Sequence, residues 1–123
     1  PALTATQAKQ AAAFVGALEA NPYAPPIEGH PPAAIVAFLA ESGAVVDVGG
    51  GVVFAADAYR TMVEAIVARL RQNGTITLAE VRDMFGTSRR YCQALLEHLD
   101  QRRITVRRGD ERVLGREAAR TTE

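Results

Sequence analysis

The stretch TITLAEVRDMFGTSRRYCQALLEHLDQRRITVRRGDERVL, residues 75–114, decides the reading of this chain. Thr77 followed by Glu80 is a capping box, in which hydroxyl and carboxylate each accept the other residue's backbone N–H at a helix start. Leu78, Val81, Met84 and Phe85 share one side of the short helix that follows, and Gly86 stops it. Thr87 or Ser88 starts a second helix, with Tyr91, Cys92, Leu95, Leu96 and Leu99 on its inner side. Two strands then meet at Gly109-Asp110, a two-residue hairpin turn, and Thr75-Ile76 can add a short strand against them. Helix, tight turn, helix and β-ribbon is the layout of a winged helix, a helix-turn-helix with a strand pair attached.

Upstream, Asp57 caps a helix whose apolar residues Tyr59, Met62, Val63, Ile66, Val67 and Leu70 follow the helical period, and Asn73-Gly74 closes it. The chain's first sixty residues hold a looser version of the same plan. Leu3 to Ala20 is an alanine-rich helix carrying Phe14, Val15 and Leu18, followed by a helix-breaking run from Asn21 to Pro26. Pro31-Pro32 begins a helix with Ile35, Phe38 and Leu39 inward, ending at Ser42-Gly43. Ala44 to Val48 and Gly51 to Phe54 are strands around a glycine turn. A shift of sixty residues lays Ile35 on Leu95, Leu39 on Leu99, Val46 on Val106, Gly49 on Gly109 and Val53 on Val113. The expected fold class is therefore α+β, mostly α with small β-hairpins, as two tandem winged-helix domains. Residues 1–55 form a degenerate, acidic spacer, residues 56–115 a basic binding domain, and residues 116–123 a flexible tail.

The formal net charge of zero hides an asymmetry. Residues 1–56 carry Lys9 against Glu19, Glu28, Glu41 and Asp47, a sum of −3, whereas residues 57–123 carry thirteen arginines against ten acids, a sum of +3. The excess is concentrated in 86–116, with eight arginines to four acids. Cys92 is the only cysteine and sits on a buried helix face, so it reads as a core residue in a chain without an internal disulfide. The longest apolar run, Ala33 to Ala40, is too short to span a bilayer, and no leader is visible. The expectation is a cytoplasmic, monomeric protein with no membrane partner.

Where the second repeat has Arg107, Arg108 and Arg112, the sixty-residue shift puts Asp47, Val48 and Val52 in the first, so the fold itself does not demand arginine there. A two-residue loop pairs residue 106 with 113 and 107 with 112. Val106 and Val113 are then expected to face the core, with Arg107 and Arg112 opposite each other on the outer face. Like charges in that arrangement repel, and an anion lying against them resolves the conflict. A solvated basic edge that resists aggregation is the plainer alternative.

Arg89, Arg90 and Gln93 point outward near the start of the second helix, beside the hydroxyls of Thr87 and Ser88. A helix N-terminus is a natural phosphate seat, and two arginines in a first turn work against the helix dipole unless an anion is present. Glu97 and Asp100 continue on the outward side, confining the basic surface to the first turns. Tyr91 could stack on a base, although its phase favours a core role. His98 reads as structural. His30 lacks a partner at metal-ligand spacing, and Gly49-Gly50-Gly51 lacks the Gly-Lys-Ser/Thr ending of a phosphate loop. No catalytic triad, metal cluster or dinucleotide fingerprint is present in the sequence, so no catalytic residue, metal or cofactor is expected, and the chain reads as a binding module, not an enzyme.

Three runs carry a family resemblance: Phe85 to Tyr91, Leu95 to Asp100, and Arg107 to Leu114. They resemble the C-terminal winged helices of the SelB family, the bacterial selenocysteine-specific translation elongation factors. The resemblance is close over 75–114, looser over the Tyr59 helix and the Val53 to Tyr59 junction, and architectural over 1–50. It implies a last winged helix that grips an mRNA hairpin marking a UGA codon. Thr87, Ser88, Arg89 and Arg90 would then meet the hairpin, with Arg107, Arg108 and Arg112 flanking. It further implies ribosome and GTPase-domain partners, the latter in a portion that this chain does not contain, so GTP binding is not assigned to it. Arg90 stands where lysine is common in the family, and His98 where an aromatic residue is frequent. A DNA-binding regulator using the same helix in a major groove, or a protein-interaction scaffold, are the alternative readings.

Overall fold

The computed structural model describes residues 2–121 of the chain. Its elements run α1 (Ala5–Ala20), α2 (Ala33–Glu41), β1 (Val45–Gly49), β2 (Val52–Ala55), α3 (Ala56–Asn73), β3 (Ile76–Thr77), α4 (Leu78–Phe85), α5 (Arg89–Gln101), β4 (Thr105–Arg108) and β5 (Glu111–Leu114), with a closing 3-10 turn at Ala118–Thr121. The chain divides into two compact units whose boundary falls within α3, between Tyr59 and Arg60.

In the first unit, α1 starts at a capping box that the sequence reading overlooked. Thr4 Oγ1 accepts the Gln7 N–H and Gln7 Oε1 accepts the Thr4 N–H. Ala11, Phe14 and Leu18 of α1 are buried with Ile35 and Leu39 of α2 and with Val45, Val53 and Ala55 of the hairpin, and together they form the core of this unit. Residues 21–32 form a turn-rich loop where the second unit has a helix. Its prolines forbid helical hydrogen bonding, and it is held partly by His30, whose Nε2 lies 2.8 Å from the Pro26 carbonyl oxygen and whose ring packs against Phe14.

In the second unit, Thr77 and Glu80 cap α4 reciprocally, as the sequence indicates. Gly86 adopts the left-handed conformation (φ 59°) that lets the chain turn sharply into α5. Cys92, Leu95, Leu96 and Leu99 are fully buried, together with Val81 of α4 and Met62, Val63, Ile66, Val67 and Leu70 of α3. The sheet order is β3-β5-β4, antiparallel throughout, so β5 is central and β4 is an edge. The mixed α+β architecture is that of a winged helix.

Both units end their second helix in the same way. Gly43 and Ala44 donate to Ala40 and Leu39 in the first, and Arg103 and Ile104 donate to Asp100 and Leu99 in the second, each pair a Schellman closure. The residue in the left-handed position is Gly43 (φ 85°) in the first unit and Arg103 (φ 61°) in the second.

The repeat departs from a constant shift in the second strand of the hairpin. Arg107 pairs with Arg112 and Val106 with Val113, but Asp47 pairs with Val53 and Val46 with Phe54. A bulge between Asp47 and Gly49, beside three successive glycines at positive φ, adds one residue to the first hairpin. The register equivalent of Arg112 is thus Val53, not Val52, and that of Val113 is Phe54.

The expected faces of the wing fail in the second unit. Val106 is 42% exposed while Arg112 is only 4% exposed, the reverse of the inward and outward faces assigned above. The physical reason is an acidic partner: Arg112 turns inward to reach Asp100. Within the segment assigned above to the tail, Glu117 and Ala118 make backbone contacts. The Glu117 N–H donates to the Arg103 carbonyl oxygen, Ala118 is buried and its N–H donates to Gly115. Residues 122–123 lie outside the described residues.

Candidate nucleic-acid interface

The sharp turn at Gly86 places the start of α5 beside α4, and the Gly86 and Thr87 N–H groups both donate to the Arg82 carbonyl oxygen. Ser88 occupies the N-cap position with extended backbone and makes no side-chain capping hydrogen bond. First-turn amides of a helix have no acceptor within it, so this end retains its capacity for an anion. Arg89 and Arg90 are exposed there, and Thr87 is half-buried. The Arg89 side chain makes no hydrogen bond or ion pair among the described residues. Gln93 lies one turn further on, where its Nε2 donates to Glu97 Oε2 at 3.2 Å.

The wing contributes from the other side. Arg107 is exposed and its Nε donates to the Gly109 carbonyl oxygen at 3.0 Å, which draws the side chain along the hairpin turn. Arg108, exposed, sits opposite Glu111 across the ladder. Arg112 is held inside: its Nη2 lies 2.9 Å from Asp100 Oδ2 and its Nε 3.4 Å from Oδ1, while Thr105 Oγ1 donates to the same Oδ1 at 2.6 Å. This triangle joins the last turn of α5 to both strands of the wing. Asp100 is consequently not part of an outward acidic face, as the helical projection alone suggested.

Arg89 and Arg107 face one cavity of about 270 Å³, lined also by Thr77, Leu78, Ala79, Arg82, Asp110 and Arg112. Of the residues singled out from the sequence, the fold therefore brings Arg89, Arg107 and Arg112 to one cleft. Thr87, Ser88, Arg90, Gln93 and Arg108 do not line it. Arg82 and Asp110 were missed. The available signal for Arg82 was its place four residues after Leu78, on the helix that a helix-turn-helix sets beside the start of the next.

In the first unit, a cavity likewise borders the register pair Asp47 and Val53, but its lining is otherwise His30, Pro31, alanines, glycines and Val36. The same strand positions thus border an apolar and acidic hollow in one repeat and an arginine-rich one in the other.

Tyr91 is half-buried, so it stands at the rim of the inner face and not in the core with Cys92, Leu95, Leu96 and Leu99. Burial pushes the Cys92 thiol up from 9.0 to about 11, outweighing the nearby Arg82 charge, which acts in the opposite direction. Among the described residues, no group of three or more His, Cys, Asp or Glu side chains is placed to hold a metal ion, and no helix is long and apolar enough to cross a membrane.

Residues 68–114 match the family described as elongation factor SelB, winged helix. Among solved structures, the mRNA-binding domain of elongation factor SelB from E. coli, determined in complex with SECIS RNA, is similar with a TM-score of 0.61 and 22% identity, over 67% of this chain and 68% of that one. No curated protein matches the chain by sequence.

Proposed function

We propose, on the premise that residues 68–114 form a SelB-type winged helix, that this chain is the mRNA-binding part of a selenocysteine-specific elongation factor. The second unit grips an RNA hairpin through the start of α5 and the wing. One observation carries the reading: Arg89 from the helix start and Arg107 from the ribbon face a single cleft, in the repeat whose charge is positive. RNA of A-form geometry has a major groove too deep and narrow for a helix, so contact is made to backbone phosphates and to unpaired loop bases. Thr87, Ser88, Arg89 and Arg90 meet the hairpin backbone at the helix start, and Arg107 and Arg108 flank it from the wing. Gln93 contributes at the edge of the same surface. Arg112 supports this surface from within and does not present itself to RNA as an exposed side chain. The first unit, acidic and with a loop in place of the middle helix, acts as a spacer. The chain functions as a binding module of the cytoplasm, without cofactor, and the parent protein supplies the GTPase and the ribosome contacts.

The test is competition binding of the full chain to a SECIS-type RNA hairpin against duplex DNA of matched sequence. The hairpin is expected to win, and Arg89→Glu or Arg107→Glu to abolish the preference. Duplex DNA winning would favour a DNA-binding regulator instead, and unchanged RNA affinity in both reversals would favour a protein scaffold.

A further inference from the structure

The cleft formed by α4, the start of α5 and the wing is lined by four arginines, Arg82, Arg89, Arg107 and Arg112, and one acidic residue, Asp110. Arg112 is already neutralised by Asp100 and forms a fixed floor. The other three are not matched in this way. The Arg89 side chain has no partner among the described residues, Arg107 donates only to the backbone of its own turn, and the carboxylate nearest Arg82 is that of the largely exposed Asp83, at 3.9 Å. Against these three cations the lining sets the single carboxylate of Asp110, so the hollow keeps an excess of positive charge that an entering anion would offset. The first repeat builds the corresponding hollow with Asp47 and Val53 at the register positions of Arg107 and Arg112, so the fold alone gives no reason for this charge.

The lining also discriminates between ligand classes. A nucleobase held in a pocket normally stacks on an aromatic ring, and this cleft offers none: its only large apolar side chain is Leu78. Guanidinium groups converging from several directions suit a tetrahedral oxyanion. We propose that the cleft seats one backbone phosphate of the bound RNA, and that Arg82, on the helix preceding α5, is a binding residue for it alongside Arg89 and Arg107. The proposal deepens the RNA-hairpin reading and rests on it. It extends the RNA surface from α5 and the wing onto α4.

The experiment measures binding of the full chain to a SECIS-type RNA hairpin, first unmodified and then with single methylphosphonate linkages that remove one phosphate charge at a time. Arg82→Ala is expected to weaken binding about tenfold and to lower the magnitude of the log–log salt slope by about one. One linkage should be sensitive to neutralisation in the native protein and lose that sensitivity in Arg82→Ala. Arg116→Ala, an exposed arginine outside the cleft, serves as the control and should retain that sensitivity. Failure of the native protein to bind any such hairpin overturns the RNA reading and this inference with it. Native binding with Arg82→Ala indistinguishable in affinity and slope overturns the inference alone. Inorganic phosphate provides a further arm: saturable shifts of the Arg82 and Arg89 Nε–H resonances with free phosphate, without any linkage-specific coupling to RNA, would assign the cleft to a small anion and overturn the RNA-phosphate assignment.

Discussion

Arg112 and Asp100 form an ion pair at 2.9 Å that the apolar first repeat replaces with Val53 and Ala40. Removing one partner strands the other, a loss that reaches about 3–5 kcal/mol for fully buried pairs. Because the Asp100 side chain retains 23% exposure, Asp100→Ala is expected to cost about 2–3 kcal/mol in urea denaturation. Asp100→Ala combined with Arg112→Val should recover to within about 1 kcal/mol of the native protein, since an apolar pair can take the place of a buried ionic one. Cys92 permits a second check at this scale. Its thiol is held neutral in the fold, up to about 11 against an ordinary 9.0, so the folded state binds its proton more tightly than the unfolded one. That contribution to stability is complete below pH 9.0 and is lost as pH rises from there toward about 11. Thiol reagents should react with Cys92 far more slowly in the native protein than after unfolding. The inward turn of Arg112 was not legible from the sequence. Strand register names the residue across the ladder, but the partner that draws the side chain inward lies twelve positions away on a helix.

Helices, caps and turns were the most legible features. Thr77 with Glu80, Gly86 and Gly109-Asp110 each carry a local chemical signature, and each forms the feature it signals. The bulge in the first hairpin was not legible, because three consecutive glycines accept several turn geometries and do not specify a register. The contacts of the closing segment were not legible either: it runs close to the end of α5 at Gly115, where a side chain would collide with the Arg103 carbonyl oxygen and the neighbouring Ile104 backbone. Gly115→Ala should therefore destabilise the protein by about 3 kcal/mol or more, through backbone that has nowhere to move. The opposite sign is expected at the end of α5. Arg103 holds a left-handed conformation that Gly43 occupies in the first repeat, so Arg103→Gly should stabilise by about 0.5–1 kcal/mol, read as a rise in Tm.

For the whole molecule, a net charge of zero conceals a negative leading half and a positive trailing half, and it is the local field that steers a polyanion. With about four or five arginines meeting phosphates, the log–log dependence of RNA affinity on salt should have a slope of about −3 to −4. A slope near zero would refute phosphate-driven binding. The sequence made the charge asymmetry and the repeat visible, but not the cleft, because a cavity exists only once α4, α5 and the ribbon are packed together. The strand order has one more consequence. β4 lies at the edge of its sheet, with Val106 exposed beside Arg107 and Arg108. Positive charge on such a strand keeps a second copy from annealing to it. Alanine replacement of both arginines should accordingly promote self-association visible by light scattering, whereas glutamate replacement should leave the molecule dispersed, which makes charge reversal the cleaner way to interrogate the wing.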